Sequence, residues 1–284
     1  MKRVVIVAHP QRHDAGELAR LAVTELRRIG LEAWVNSEDA AALGVDDLGD
    51  DRPVGDADLV VSLGGDGTML RTVQLLDGAP TPVLGVNLGA LGYLTEVEPP
   101  DLLDALRRVR RGPDDGGWRL DERLMLDVAA RGSVTGTWRA LNEAVVEKLH
   151  AGHTVRLLAS IDGVPFTSFA ADGLIVATPT GSTAYSLSAR GPVVSPRHRA
   201  LLLTPVAPHM LFDRTLVLDP SETIEIAVAG ERPAELAVDG QQVGTLVEGD
   251  VVRCTPSEAT ARFVRFGELR YHQILKAKFG LMDR

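Results

Sequence analysis

The chain has 284 residues, enough for two compact units or one large one, and its hydrophobic fraction of 45% excludes wholesale disorder. A net charge of −9 argues against the basic face that a duplex-binding protein presents, so no nucleic-acid partner is expected. The single cysteine, Cys254, can form no internal disulfide, and no stretch reaches the ~18 apolar residues of a membrane span. The basic and then apolar start, Met1 to Val7, stops at His9-Pro10, too short for a signal segment, so a cytoplasmic protein without membrane contact is expected.

Residues 3–7 are a β-branched run that reads as a buried strand. Asp14 can then cap a helix in which Leu18, Leu21, Ala22, Leu26 and Ile29 recur at helical spacing. Gly30 stops that helix and Leu31 to Val35 resumes as a strand, a βαβ opening that implies a parallel sheet. The polar stretch from Ser37 to Asp58 reads as loop with a little helix. Leu59 to Leu63 is the next strand, cut short by Gly64-Gly65-Asp66-Gly67-Thr68. Met69, Leu70, Val73 and Leu76 then share one helix face, and Pro82 to Val86 supplies another strand.

The texture changes near Glu98-Pro99-Pro100. Leu102 to Arg111 reads as a helix and Gly112 to Gly117 as a loop. From Trp118 onward the pattern is β-like: Val155, Leu157, Ala159 and Ile161 alternate, Asp162-Gly163 turns the chain, and Val164 to Phe169 returns. Ile224, Ile226 and Val228 alternate again, Asp239-Gly240 makes a second tight turn, and Leu269 to Phe279 reads as a helix ending at Gly280. The expected architecture is an α/β domain over residues 1–100 with a Rossmann-like parallel sheet that carries the glycine loop. A mostly β domain over 101–266 follows, and a C-terminal helix over 267–284 packs back on the first domain.

The glycine loop is the first motif that carries chemistry. Glycines between a strand and a helix let backbone N–H groups approach an anion closely, and the helix N-terminus adds favourable partial charge. An aspartate inside such a loop repels a phosphate, which makes sense if Asp66 addresses a hydroxyl beside the phosphates, as general base or through a metal. The plainer alternative is a glycine turn with Asp66 as helix cap. Arg71, one turn into the following helix, either reaches phosphate or faces solvent.

Gly64 to Thr68 resembles the loop of a kinase superfamily that includes 6-phosphofructokinases, diacylglycerol-type lipid kinases and NAD kinases. Three further stretches resemble NAD kinases, the last of them specifically: Gly85-Val86-Asn87-Leu88-Gly89-Ala90-Leu91-Gly92-Tyr93-Leu94, Leu141-Asn142-Glu143, and the run from Asp172-Gly173 through Thr178-Pro179-Thr180-Gly181-Ser182-Thr183 to Ser186. The resemblance spans residues 3 to 280 and implies an ATP-dependent kinase that phosphorylates the adenosine-ribose 2′-hydroxyl of NAD to give NADP, with Asp66 as general base. It implies that the β domain binds the dinucleotide through Asn142, Glu143, Asp172, Gln241 and the run Thr183, Ala184, Tyr185, Ser186, Leu187 and Ser188. Asp66, Gly67, Arg71 and His153 join that binding set. It also implies a homodimer or homotetramer, and Mg²⁺ or Mn²⁺ carried in with ATP; the scattered histidines offer no zinc cage.

Two positions depart from the family's pattern. Arg190 stands where relatives usually have glycine, and Ala170 where many have a basic residue, which bears on discrimination between NAD and NADH. Two competing readings remain at the level of sequence. A lipid or sugar kinase would share the glycine loop but not the run at 172–186, and a non-catalytic NAD(P) sensor would have no use for Asp66.

Overall fold

A computed structural model describes residues 1–267 and 271–281, and the chain divides into two compact units, Met1–Glu122 with Ala261–Arg284, and Arg123–Thr260. The first unit is wound from β1 (Arg3–Ala8), α1 (His13–Arg28), β2 (Glu32–Asn36), α2 (Ser37–Leu43), β3 (Gly49–Asp50), β4 (Leu59–Gly64), α3 (Asp66–Leu76) and β5 (Val83–Asn87). Two helices, α4 (Leu102–Arg110) and α5 (Pro113–Gly116), follow. The strands pair in parallel in the order β5-β4-β1-β2-β3, so the chain steps outward from β1 on one side and then returns to build the other. In such sheets ligands bind beyond the carboxyl ends of the strands where the order reverses. Here that reversal lies between β1 and β4, and β4 ends on Gly64.

The local signals explain most of these elements. β1, β4 and β5 are apolar almost throughout because helices cover both faces of a parallel sheet. Gly30 adopts φ +82° behind α1, the left-handed conformation that ends a helix and that glycine takes without strain. Asp14 does not cap α1: it sits in the first turn and pairs with the Arg12 guanidinium at 2.7 Å. The expected loop at 112–117 contains the short helix α5, because Pro113 presets the first turn, Asp114 and Asp115 favour its amino end, and Gly117 closes it at φ +62°.

The second unit is antiparallel. It is built from β6 (Arg119–Arg131), β7 (Gly136–Ala140), β8 (Glu143–Lys148), β9 (Val155–Ile161), β10 (Val164–Ala171), β11 (Gly173–Ala177), the short helix α6 (Tyr185–Ser188), β12 (Leu201–Val206), β13 (Leu216–Leu218), β14 (Ile224–Val228), β15 (Ala234–Val238), β16 (Gln241–Leu246) and β17 (Val251–Arg265). One sheet runs β10-β9-β14-β17 and the other β13-β12-β11-β8-β15-β16. Both expected hairpin turns form, with Asp162 and Gly163, and Asp239 and Gly240, at positive φ. Leu157, Phe169, Leu174, Leu203 and Ile226 come from both sheets and share one core. Cys254 is buried there, and burial pushes its thiol up to about 12, which leaves it inert.

β17 leaves the second unit and ends in the first, where Phe263 lies beside Val83 of β5. The closing helix, α7 (Tyr271–Lys278), belongs to the first unit, with the Tyr271 ring 6.0 Å from that of Tyr93; Leu269, where the sequence starts the helix, lies outside the described residues.

Candidate functional site

In the first unit the glycine loop forms the turn between β4 and α3. Gly64 is required by packing, since a Cβ there would collide with the Thr68 side chain. Gly65 and Gly67 are different: an added Cβ would meet no atom within 4 Å, and neither has positive φ. Packing and backbone strain therefore give no reason for glycine at these two positions. What glycine does leave is uncovered amide at the amino end of α3, where a phosphate is favoured.

Asp66 is the first residue of α3, yet the helix has no side-chain cap. Its carboxylate turns instead to the segment after β5, where Oδ2 accepts from the Tyr93 amide and Oδ1 from the Leu94 amide, both at 2.9 Å. Gly92 permits this approach, because a Cβ there would collide with the same carboxylate. The two glycine-rich motifs are thus joined through one side chain. Both oxygens keep a free lone pair, since each carboxylate oxygen can accept more than one hydrogen bond. Arg71 is half-buried and paired: Asp39 stands 2.7 Å away and Glu38 3.5 Å, while Asp39 also accepts from the Ala8 amide at 2.9 Å. Burial raises the Asp39 carboxyl, against the pull of Ala8 and Arg71.

In the second unit Asn142 and Glu143 are held by a clamp that sequence reasoning missed. Asp239, in the β15–β16 turn, accepts from the amides of Leu141 at 2.7 Å, Asn142 at 2.7 Å and Glu143 at 3.1 Å. The signal in the sequence was only the Asp239-Gly240 turn pair, which marks a hairpin and says nothing of a partner so far away. The hydroxyl-rich segment docks on the other side. Thr178 donates to the Leu141 carbonyl at 2.6 Å, the Thr178 amide bonds to the Asn142 carbonyl at 2.9 Å, and Gly181 lies so close to Asn142 that a Cβ would collide with its backbone.

Several hydroxyls in that segment serve the backbone. Ser182 bonds to Pro179 and Val194, and Thr183 to the Thr180 carbonyl at 3.3 Å, while Ser186 instead meets the Thr204 hydroxyl at 3.0 Å. Tyr185 donates to Glu147 at 3.2 Å, and Asp172 is paired with Lys148 at 2.8 Å. Glu147 and Lys148 are neighbours in β8 and were not singled out in the sequence. Ala184 and Leu187 are half-buried, while Ser188, His153 and Gln241 are exposed, His153 beyond the end of β8 and Gln241 at the start of β16.

Glu143 is buried, and its Oε2 has no hydrogen-bond partner. Burial first, and then the charge of Asp239, push its carboxyl up to about 8. Burial raises the Asp239 carboxyl as well, but three N–H donors oppose that rise, so of the pair Glu143 holds a proton the more readily. A carboxyl whose folded pKa exceeds its unfolded value binds more protons when folded, so stability falls as pH rises through the window from 4.5 to about 8. Glu143→Gln removes this dependence. Urea unfolding at a series of pH values should show the variant gaining on the parent by about 2–4 kcal/mol between pH 5 and 8. Parallel pH profiles would contradict it.

Arg190 follows α6 at φ +66°, in the left-handed region where its Cβ is strained. Its amide bonds back to the Leu187 carbonyl at 2.9 Å, and the Gly191 amide to Ser186 at 2.8 Å, which closes the helix end. Arg190→Gly should raise stability by about 1 kcal/mol in the same assay, because glycine occupies this conformation freely.

Comparison with known proteins shows the family. Residues 46–113 match the ATP-NAD kinase N-terminal domain and residues 141–266 the ATP-NAD kinase C-terminal domain. The chain is 39% identical over 281 residues to the NAD kinase of Moorella thermoacetica, covering 98% of this chain and 89% of that one. It is 43% identical over 224 residues to the NAD kinase of Heliobacterium modesticaldum, covering 78% of each. Among solved structures it is similar to yeast NADH kinase complexed with NADH, with a TM-score of 0.87 and 27% identity over 100% of this chain and 89% of that one. It is also similar to an NAD kinase from Archaeoglobus fulgidus in complex with ATP, with a TM-score of 0.75 and 26% identity over 99% and 100% of the two chains. With both domain models matched and with relatives that span the whole chain, the protein belongs to the NAD kinase family.

Proposed function

We propose that this chain transfers the γ-phosphoryl group of ATP to the 2′-hydroxyl of the adenosine ribose of NAD, with Asp66 as general base. The ribose oxygen attacks phosphorus as the bond to the β-phosphate oxygen breaks; ADP leaves, and the hydroxyl proton passes to the Asp66 carboxylate. The observation that carries this reading is the seating of Asp66. Two amides at 2.9 Å fix its orientation at the end of a loop whose glycines leave backbone N–H uncovered. A fixed carboxylate orients a hydroxyl without reorganising as the proton moves.

The dinucleotide is assigned to Asn142, Glu143, Asp172, Gln241 and the run Thr183 to Ser188, with His153 at its margin. A neutral Glu143 carries an O–H and donates to a ribose or phosphate oxygen, while the Asn142 amide both donates and accepts. Gly67 and the amino end of α3 meet phosphate, and Arg71, with Asp39 against it, contributes direction more than net charge. Among the described residues no group of three His, Cys, Asp or Glu could hold a metal ion. We assign a magnesium or manganese ion to the ATP phosphates, with Asp66 the carboxylate of the loop; there it would neutralise charge on the transferred group. The protein is assigned to the cytoplasm, where ATP and NAD are both at hand; among the described residues no helix is long and apolar enough to cross a membrane.

The test is Asp66→Asn, read by turnover and by equilibrium binding of NAD. Turnover should fall at least about a hundredfold while NAD affinity stays within about threefold. An amide can accept from only one of the Tyr93 and Leu94 N–H groups, so thermal unfolding is measured alongside. Near-parental turnover would remove Asp66 as base, and joint loss of binding and fold would leave it a structural seat. The same reading includes a homodimer or homotetramer formed through the second unit, where Val164, Phe166 and Leu211 are exposed apolar residues. Light scattering at micromolar protein should give a multiple of 30.4 kDa, and a fully active monomer would overturn it.

A further inference from the structure

Arg265, near the end of β17, is a charged residue in an interior position, with its side chain 4% exposed. Its fork spans four partners in the first unit. Nε faces Asp121 at 3.4 Å; Nη1 donates to the Thr95 carbonyl at 3.0 Å and to Glu96 at 3.1 Å; Nη2 reaches the Tyr93 carbonyl at 3.4 Å. Glu96 in turn accepts from the Phe266 amide at 2.8 Å. The strap from Tyr93 to Glu96 is therefore gripped by its carbonyl oxygens from one side. On the other side the same strap presents the Tyr93 and Leu94 amides to Asp66.

We infer that Arg265 is a positioning residue for catalysis: it sets the strap whose two amides orient the Asp66 carboxylate. A buried guanidinium is costly to desolvate, and apolar replacements of buried ion pairs are often no less stable. Stability alone is thus a poor reason for arginine here. The planar fork supplies what the position uses, several donors in fixed directions reaching two carbonyls and two carboxylates together. A lysine ammonium keeps the charge for Glu96 and Asp121 but cannot hold both carbonyls in that fixed geometry.

This inference rests on Asp66 acting in the reaction, and a double-mutant cycle separates the two. In the parent, Arg265→Lys should lower kcat roughly tenfold or more, since displacement of a reacting group by a fraction of an ångström to an ångström is enough. Equilibrium NAD binding should stay within about twofold, and hydrogen exchange at the Tyr93 and Leu94 amides should quicken. In an Asp66→Asn background the same substitution should change kcat by less than about twofold, because nothing is left to orient. Equal loss in both backgrounds, or a parental kcat for Arg265→Lys beside a crippled Asp66→Asn, would overturn the role of Arg265. A parental kcat for Asp66→Asn would overturn the reading beneath it. Should Arg265→Lys not fold, Glu96→Gln carries the same cycle, since it keeps an acceptor for the Phe266 amide and loosens the grip on Arg265.

Discussion

Carboxylates that accept from backbone amides fasten this structure at several strand ends and loops, where the ladder does not satisfy the N–H groups. Asp66 takes the amides of Tyr93 and Leu94, Asp239 those of Leu141, Asn142 and Glu143, and Asp39 that of Ala8. Asp58 does the same for Lys2 and Arg3, and Asp250 for Ser133 and Val247. A charged acceptor makes a hydrogen bond about twice as strong as a neutral one, and an unpaired buried N–H costs about 1–3 kcal/mol. Acidic residues that look like an indifferent surface excess in the composition are thus partly internal fasteners, and the functional segments hang from two of them.

Burying these acids has consequences for charge. In the first unit Asp39 is matched by the Arg71 guanidinium, and Glu96 with Asp121 by that of Arg265. The second unit resolves the same problem differently. Asp239 relies on three amides, and its neighbour Glu143, with an oxygen that meets no donor, stays protonated instead. Burial raises both carboxyls, and the three amides oppose it only at Asp239, so the proton favours Glu143 and gives the Asn142-Glu143 pair a donor as well as acceptors. A dinucleotide rich in hydroxyl and phosphate oxygens suits such a mixed surface.

The glycines divide in the same way between scaffold and ligand. Gly92 and Gly181 are required by close approach of a carboxylate and of a carbonyl, whereas Gly65 and Gly67 are required by nothing in the protein. Glycine without an internal reason, at the amino end of a helix and the carboxyl end of a parallel strand, is how a phosphate site looks before its ligand arrives.

By itself the sequence determined the early βαβ order, the hairpin over 155–169 and the change to β-like texture after Trp118, because apolar spacing, Asp-Gly turns and helix-ending glycines are local signals written within a few residues. It missed the short helix Pro113–Gly116 and most strand boundaries of the second unit. The run at 172–186 identified the family, likewise as a contiguous string, where the glycine loop gave only the superfamily. Partners were decided only by tertiary structure. Asp66 finds its amides 27 and 28 positions later, Asp239 reaches back 96 to 98, and Arg265 meets Tyr93 across 172. No periodicity encodes such pairings. They come from which strand ends the sheets bring side by side, and an unsatisfied N–H there takes whichever charged oxygen the fold delivers.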